Sequence, residues 1–403
     1  MGGNMRDRGK QMAQNYDVAV IGLGAFGASI LYQLARRSVR VVGIDLYVPP
    51  HDRGASHGET RITRQAIGEG EIYSPLAIRS QSIWRELEEE TDERLFLDCG
   101  FAAIDSSGGV SNLHGRTGFV DRTIEAAVKF DIAHEVLNSE EARYRYPGLL
   151  VPYDSKIYFE SGGGLVFPER CIKAQLSQAR RHGAVVHTGE EVTEISSQQG
   201  SALITTRLHE YRADQVIVAA GGWAKSLLAG PATSQLRLLR QTLHWFEATH
   251  PEIFDSAQFP TFIWTHGKGI EDSFYGFPNV QGLTRGVKVA TEQYGDTIDH
   301  PEALQREVSV SEASMMHAGH VLGRLAGVTD KPLNSVACFY SQTPDADFII
   351  GPASLDSRVT LVSACSGHGF KHSAGVGEMI AEHLCGKAEI PAQFSPARQD
   401  GVR

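Results

Sequence analysis

The sequence lacks the features that mark several common classes of protein. Its five cysteines are widely spaced and none stands in a Cys-x-x-Cys pair, which argues against zinc ribbons and thioredoxin chemistry. An odd number of dispersed cysteines favours a reducing compartment. No apolar run reaches the roughly 20 residues that a membrane-spanning helix needs, and residues 1–15 carry no apolar segment of the kind found in signal peptides. We therefore expect a cytoplasmic protein without a membrane partner, and a disordered leader over residues 1–14.

Basic residues are fewer than acidic residues. The chain has 38 Lys and Arg residues against 48 Asp and Glu residues, a net charge of −10, and the two signs are interspersed. This balance argues against a nucleic-acid partner. No internal repeat is visible, so a repeat architecture is not expected. We expect no metal site, and a monomer or a weak homo-oligomer.

What the sequence does contain is a glycine-rich α/β pattern. The 42 glycines among 403 residues suit many tight turns between strands and helices, and the length suits two domains. Residues 17–21 are predicted as a buried strand, residues 28–37 as a helix and residues 39–44 as a second strand. Together they predict one βαβ unit of a parallel sheet.

Later segments extend this pattern and then change it. Residues 73–90 and 165–183 are predicted as helices. Residues 373–384 are predicted as a final helix that Gly386 ends. Between residues 236 and 328 the pattern shifts to alternating, aromatic strands, which indicates a separate sheet-rich layer.

The first glycine turn carries a recognisable spacing. Gly22 would make the turn, Gly24 would let the backbone approach a pyrophosphate, and Gly27 would let helix and strand pack closely. Asp45 ends the next strand, where an acid can accept hydrogen bonds from a ribose. A generic tight turn is the alternative, but strand, helix and acid are all present. The spacing by itself does not decide between NAD and FAD.

Other signals are ambiguous when taken alone. Residues 54–64 hold two arginines and a histidine on a glycine-flanked loop, which suits either an anion site or a solvated basic loop. Residues 219–223 form a second strand-to-glycine turn, and residues 366–371 a turn whose backbone N–H groups could face one acceptor. Lys288 stands on a predicted strand, where lysines usually face solvent.

Several of these stretches, in the same order along the chain, resemble the family of monomeric sarcosine oxidase and N-methyltryptophan oxidase, which are amine-oxidising flavoproteins. The resemblance runs from Tyr16 to about Lys387. Its most specific parts are residues 56–70, 275–278, 286–288, 338–340 and 366–371. The resemblance implies an FAD cofactor and a role for each matching position.

The resemblance assigns the chemistry to a few residues. It implies that Cys338 carries FAD covalently through the 8α-methyl group, and that His57 and Arg61 lie near the reactive face of the flavin. Lys288 matches a lysine that promotes reduction of O₂. The implied substrate-binding residues are a carboxylate clamp and two cavity-lining aromatics: Arg64, Lys371, Tyr275 and Tyr340.

The full set of expected FAD contacts is larger. It comprises Gly22, Gly24, Ala25, Phe26, Gly27, Asp45, Ser56, His57, Thr60, Arg61, Val192, Gly221, Trp223, Cys338, Gly367, His368, Gly369 and Lys371.

The chain also departs from the family. Ser56 stands where many relatives have a second histidine, and residues 281–285 form a slightly longer stretch than in relatives. Glu292 stands where relatives that oxidise sarcosine have a histidine. An acid in the cavity makes sarcosine itself less suited as the substrate, and leaves a larger or more basic N-substituted amino acid open.

We therefore predict an α/β fold with a discontinuous, Rossmann-like FAD-binding domain and a second, sheet-rich substrate domain. The FAD-binding domain is expected over residues 15–98, 155–236 and 336–390, and the substrate domain over residues 99–154 and 237–335.

The predicted reaction is oxidation of the C–N bond of a secondary, N-methyl or N-alkyl, amino acid. O₂ would be reduced to H₂O₂, and the imine would hydrolyse to an aldehyde and an amine. Three alternatives stay open: a related flavin dehydrogenase with another electron acceptor, a flavin-binding module without amine turnover, and a nicotinamide dehydrogenase. The presence of Lys288 argues against the first, the clamp of Arg64 and Lys371 against the second, and Cys338 against the third.

Overall fold

A computed structural model describes residues 14–198, 200–280, 286–353 and 358–401. The predicted longer stretch at residues 281–285 and most of the predicted leader lie outside these ranges. The strands are β1 (Gln14–Ile21), β2 (Val41–Asp45), β3 (Arg61–Thr63), β4 (Phe96–Leu97), β5 (Phe101–Asp105), β6 (Asn112–Leu113), β7 (Arg116–Thr117), β8 (Glu135–Leu137), β9 (Lys156–Glu160), β10 (Gly164–Val166), β11 (Val185–Thr188), β12 (Val192–Gln198), β13 (Ser201–Thr206), β14 (Glu210–Val218), β15 (Arg237–Ala248), β16 (Thr261–Thr265), β17 (Ser273–Gly276), β18 (Val287–Ala290), β19 (Thr297–Ile298), β20 (Val328–Gln342), β21 (Ile349–Pro352) and β22 (Val359–Ser363). The α-helices are α1 (Ala25–Ala35), α2 (Tyr73–Thr91), α3 (Phe119–Lys129), α4 (Ser139–Arg145), α5 (Pro168–Arg181), α6 (Ala224–Leu227), α7 (Pro231–Ser234), α8 (Val310–Met316) and α9 (Ser373–Leu384).

The first sheet is built on parallel strands in the order β11-β2-β1-β14, and β22 continues it parallel to β14. Strands β13, β12 and β21 extend it with antiparallel pairs. Along β1, Val18 and Val20 pack in one apolar cluster, whereas Ala19 and Ile21 pack in another. Because both faces of the strand are buried, its sequence is a continuous apolar run rather than an alternating one. The predicted βαβ unit is confirmed.

The second sheet is mainly antiparallel and carries the aromatic strands. Its order is β19-β15-β18-β17-β16-β5-β9-β8, with β20 pairing along β15 over most of its length. Ala102 and Ile104 of β5 face one cluster with Phe262 and Trp264, while Phe101 and Ala103 face the other. The predicted sheet-rich layer is therefore present, and the mixed α/β fold class is confirmed.

Short elements account for the differences from the sequence predictions. Strand β1 begins at Gln14, and α1 begins at Ala25, immediately after the glycine turn. The helix predicted over residues 165–183 is shorter, because residues 164–166 pair with β3 and β4 and the helix begins at Pro168. The final helix has the predicted bounds, and Gly386 follows it with φ +69°.

The predicted division into domains stays a prediction. Strand β9 joins the second sheet although it was predicted within the FAD-binding segment, and β20 runs across the predicted boundary at residue 336. Within the described ranges, none of the helices combines the length and the apolarity that crossing a membrane would require.

Candidate functional site

A cavity of about 340 Å³ lies where the parallel strands β1, β14 and β22 end. Ligands of open α/β sheets bind at the carboxyl ends of the strands, so this position suits a cofactor. The predicted residues that line it are Gly22, Gly24, Ala25, Phe26, Asp45, Ser56, Arg61, Val192, Gly221, Trp223, Tyr340, Gly367 and Gly369. Predicted contacts that lie outside this wall are Gly27, His57, Thr60, Cys338, His368 and Lys371.

The glycine turn fits the predicted dinucleotide. A Cβ on Gly27 would lie 1.7 Å from the carbonyl oxygen of Gly22, so helix and turn pack too closely for any side chain. Gly22 has φ +85°, in the left-handed region that favours glycine. A Cβ on Gly24, by contrast, would meet only Ser56 Oγ, at 3.6 Å. Gly24 therefore leaves its backbone open to the cavity, as close approach of a pyrophosphate requires.

Asp45 stands at the predicted ribose position. Its Oδ2 accepts a hydrogen bond from Leu23 N at 2.7 Å, and its Oδ1 accepts one from Tyr47 N at 2.8 Å. These bonds fix the carboxylate in the cavity wall beside the turn. A glycine turn, a helix N-terminus and a fixed acid define this part of the molecule as a dinucleotide-binding α/β unit.

Two side chains fix the conformation of the loop before β3 by hydrogen bonds to its backbone. Arg61 donates to the carbonyl oxygens of Ala55, His57 and Thr60, at 3.0, 2.6 and 2.9 Å. Glu169, at the start of α5, accepts from the backbone N–H groups of Gly58 and Glu59 at 2.8 and 3.1 Å. The predicted basic loop is therefore not solvated but wrapped around Arg61.

His57 does not line the main cavity. It borders a second cavity of about 330 Å³, together with Gly58, Glu169 and Trp245. Burial, helped by the charge of Arg61, lowers the pKa of His57 to about 4. The imidazole is therefore neutral at physiological pH and adds no positive charge to that of Arg61.

Lys288 is buried, contrary to the usual position of a strand lysine. Its Nζ donates to Gly58 O at 2.5 Å and to the carbonyl and hydroxyl oxygens of Thr60, both at 2.9 Å. It also lies 4.4 Å from the ring centroid of Phe277. Burial, followed by the charge of Arg61, lowers the pKa of Lys288 well below its usual value. Three oxygen acceptors nevertheless match the three donors of an ammonium group.

Cys338 is buried in a small apolar cluster with Leu243, Trp245 and Ala290. Burial raises the pKa of its thiol, and the charge of Arg61 opposes this shift. A different thiol, that of Cys365, lines the main cavity.

The two predicted substrate-lining aromatics contact each other directly: the hydroxyl oxygens of Tyr275 and Tyr340 are 3.1 Å apart. Burial raises the pKa of both phenols, so both stay protonated.

The predicted carboxylate clamp is brought together around a carboxylate of the protein itself. Arg64 is fully buried, and its Nη2 donates to Glu69 Oε1 at 2.7 Å and Oε2 at 2.6 Å. Lys371 Nζ lies 3.6 Å from Glu69 Oε1 and donates to His368 O at 2.9 Å. Burial would raise the pKa of Glu69, but Arg64 and Lys371 hold it well below its usual range. Burial lowers the pKa of Lys371 to about 8, against the opposing effect of Glu69.

His368 packs against aromatic side chains and does not line the cavity. Its ring stacks on Phe348 with centroids 5.0 Å apart, and its Nε2 lies 3.0 Å from Ala346 O. Burial holds its pKa well below the usual value, so the ring is neutral. It supports the turn that places Gly367 and Gly369 in the cavity wall.

Sequence reasoning missed several residues of the site. It gave no role to Glu69, which pairs with the clamp, or to Glu169, which fixes the loop. The flanking glycines of Glu69 were a usable signal, because an acid in a glycine-rich turn is well placed to fold back on a neighbouring arginine. His114 also went unnoticed, and it pairs with Glu292 at 2.7 Å. Nothing local in the sequence connects those two residues.

Comparisons with known proteins identify the family. The model of the FAD dependent oxidoreductase family (DAO) matches residues 17–383. The chain belongs to this family. Monomeric sarcosine oxidase of Bacillus sp. (strain B-0618) is 35% identical to it over 381 residues, which cover 94% of this chain and 94% of that protein. N-methyl-L-tryptophan oxidase of Yersinia pestis (strain Pestoides F) is 32% identical over 367 residues, covering 91% and 94%.

The fold is also similar to that of a solved amino acid oxidase. A variant of NikD, described as an unusual amino acid oxidase essential for nikkomycin biosynthesis, superimposes with a TM-score of 0.81 at 21% identity, over 95% of this chain and 98% of that one. The predicted family and the predicted enzyme class, an FAD-dependent amine oxidoreductase, are confirmed. The roles of the individual residues stay predictions.

Proposed function

We propose that this enzyme oxidises the C–N bond of an N-methyl or other N-alkyl amino acid and passes the electrons to O₂. The substrate loses two electrons and two protons, which convert O₂ to H₂O₂. The resulting imine takes up water and separates into an aldehyde and an amine. The observation that carries the proposal is the carboxylate held between Arg64 and Lys371 beside the cofactor cavity. The names of the relatives support the choice of an N-methyl amino acid.

FAD, when bound, supplies the two-electron acceptor that side chains cannot provide. The glycine turn and Asp45 would hold its pyrophosphate and ribose, and Gly367 and Gly369 line the same cavity. We propose that Cys338 links it covalently. Cys338 and Tyr340 stand two residues apart on β20, and Tyr340 lines the cavity, so attachment requires the thiol of Cys338 to reach the ring from the apolar cluster.

Arg64 and Lys371 bind and orient the amino acid. Glu69 supports this role, because it accepts two charge-assisted hydrogen bonds from Arg64 and lies 3.6 Å from Lys371 Nζ. The two cations exceed the charge of Glu69 by one, so one further carboxylate balances the cluster. Fixing the carboxylate fixes the position of the C–H bond that reacts.

Three of the side chains predicted to lie near the flavin or the substrate carry no charge: Tyr275, Tyr340 and His57. The paired hydroxyls of Tyr275 and Tyr340 offer hydrogen bonds without a charge, and His57 is neutral at physiological pH. Uncharged groups of this kind favour the neutral form of an amine over the ammonium ion. The neutral form is the one whose nitrogen lone pair can assist loss of the C–H bond.

In its protonated form, Lys288 provides positive charge away from the clamp. Its ammonium group is fixed by Gly58 and Thr60 and shielded by Phe277 and Trp245. A fixed cation in a dry site stabilises negative charge as it develops, which is what O₂ acquires when it gains an electron. We propose that this is the role of Lys288.

Oxygen consumption tests the proposal. The purified enzyme with an N-methyl amino acid should consume O₂ and release an equimolar amount of H₂O₂, measured with an oxygen electrode and a peroxidase-coupled dye. The same substrate under argon with an artificial electron-accepting dye is the control. Dye reduction without oxygen uptake would contradict the oxidase assignment and identify a dehydrogenase.

A further inference from the structure

One buried ion pair near the proposed substrate position has no part in the function described so far. His114 Nε2 lies 2.7 Å from Glu292 Oε2, and Tyr294 donates its hydroxyl to the same oxygen at 2.7 Å. Both contacts fall on Oε2. In the described part of the chain, no hydrogen bond or ion pair reaches Oε1 of Glu292. One oxygen of the carboxylate is therefore anchored, and the other is available.

The second oxygen, Oε1, lies next to a residue of the cofactor-cavity wall, although Glu292 itself is not part of that wall. Glu292 Oε1 is 2.7 Å from where a Cβ on Gly367 would stand, and Gly367 lines the cavity. Glu292 lies two residues beyond the end of β18, the strand that carries Lys288. Its charge also acts on Tyr275, Tyr340 and Lys371. The carboxylate thus belongs to the group of residues proposed to surround the substrate.

Each member of the pair favours the charged form of the other. Burial would raise the pKa of Glu292, but His114 and Tyr294 bring it below the usual value. Burial would lower the pKa of His114, but Glu292 raises it above the usual value. A carboxylate with a free oxygen accepts hydrogen bonds from N–H and O–H groups and repels another anion.

We propose that Glu292 is a specificity-determining residue that accepts a hydrogen bond from the side chain of the amino acid substrate. This inference rests on the amine oxidation proposed above. It assigns the substrate class to N-methyl amino acids whose side chain ends in an N–H donor, and it excludes those that end in a carboxylate. His114 and Tyr294 act through Glu292 as positioning residues, because they hold Oε2 and so aim Oε1.

Two substrates of the same shape test the proposal. N-methyl-L-glutamine and N-methyl-L-glutamate differ only in whether the side chain offers an N–H donor or a negative charge. We expect the wild-type enzyme to prefer the amide by at least about tenfold in kcat/KM, the usual effect of one hydrogen bond to a charged group. Glu292→Gln keeps the shape but removes the charge, and should bring the ratio to about one or below.

A binding measurement separates recognition from turnover. In the corresponding 2-methoxy acids an ether oxygen replaces the amine, so they cannot form an imine, and calorimetry gives their Kd. The same preference, and the same loss in Glu292→Gln, should appear. Glu271→Gln is the control, since it removes an exposed negative charge near Tyr294 without touching Glu292; it should keep the wild-type ratio.

Two different failures give different results. An equal ratio in the wild type and in Glu292→Gln, or a wild-type preference for the acid, would overturn the role of Glu292 and leave the ion pair as a cross-link between the hairpin of β6 and β7 and the second sheet. Failure of every N-methyl amino acid to react, with the 2-methoxy acids still bound selectively, would overturn the proposed reaction instead.

Discussion

Lys288 shows at the scale of one residue how surroundings change the meaning of a sequence feature. An exposed strand lysine contributes little, but this one is 3% exposed and holds three oxygen contacts. Lys288→Met removes the charge and keeps a similar stem. We expect reoxidation of the reduced enzyme by O₂ to slow by about two orders of magnitude, as loss of a few kcal/mol of charge stabilisation implies.

Stopped-flow mixing of the reduced enzyme with O₂ measures this effect. Because burial lowers the pKa of Lys288, the wild-type rate should fall as the pH rises through that pKa, whereas the variant should lack this step. Lys331→Met is the matched control, since Lys331 lies on strand β20 with a side chain 63% exposed. Wild-type reoxidation in Lys288→Met would remove Lys288 from the mechanism.

The two thiols near the cavity allow a direct test of covalent attachment. We expect wild-type protein precipitated with acid to keep its yellow colour, and Cys338→Ser to lose it to the supernatant. Cys365→Ser should keep the colour, although Cys365 is the cysteine that lines the cavity. Release from Cys365→Ser and retention by Cys338→Ser would move the attachment to the other thiol.

Lys371 gives a pH dependence with a definite sign. Its pKa is lowered to about 8, so the ammonium is present below that pH and is lost as the pH rises through it. Binding of a carboxylate ligand should therefore weaken above about pH 8. A 2-methoxy acid, which has no titrating amine, isolates this effect in a calorimetric titration. Lys371→Met should bind the ligand more weakly and with no step near pH 8; an unchanged step in this variant would assign the titration to another group.

At the scale of elements, the glycine turn needs one glycine for folding and another for cofactor binding. Gly27 is required by the protein itself, because its Cβ would overlap the carbonyl oxygen of Gly22. Gly24 is required only by the cofactor, because its Cβ would meet open space apart from Ser56 Oγ. Gly27→Ala should therefore destabilise the protein by about 1–3 kcal/mol or more.

Thermal unfolding of the apoprotein separates the two demands. Gly24→Ala should unfold at the wild-type temperature but bind FAD more weakly, whereas Gly27→Ala should unfold at a lower temperature even without FAD. Equal destabilisation in both variants would mean that the turn has no special relation to the cofactor.

Elements also show which parts of the fold the sequence predicts. The glycine turn, Asp45 and the final helix were predictable because their signals are local. Strand β10 was missed because its three residues, next to a strong helical pattern, are fixed only by pairing with β3 and β4. The alternation of side chains along a strand predicts which face of the sheet Lys288 lies on. It does not predict whether other parts of the protein cover that face, so the burial of Lys288 was not predictable. The pair of His114 and Glu292 joins two distant segments, so no local pattern contains it.

At the scale of the whole molecule, two sheets meet over one cavity. The parallel sheet supplies the glycine turn and the wall at Gly367, and the second sheet supplies Lys288 and the two tyrosines. The turn after the final parallel strand brings Lys371, and the segment that follows β3 brings Arg64, to the same carboxylate. Separate elements thus provide cofactor binding, substrate binding and the proposed oxygen site.

The central claim is that an N-methyl amino acid held by Arg64 and Lys371 gives its electrons to bound FAD. The most direct measurement is anaerobic mixing of the enzyme with N-methyl-L-glutamine while the flavin absorbance is recorded. We predict that the absorbance bleaches fully, and that the N-methyl amine of the same structure without its α-carboxylate bleaches it at least about tenfold more slowly at equal concentration. No bleaching by the amino acid, or equally fast bleaching by the amine without a carboxylate, would contradict the account.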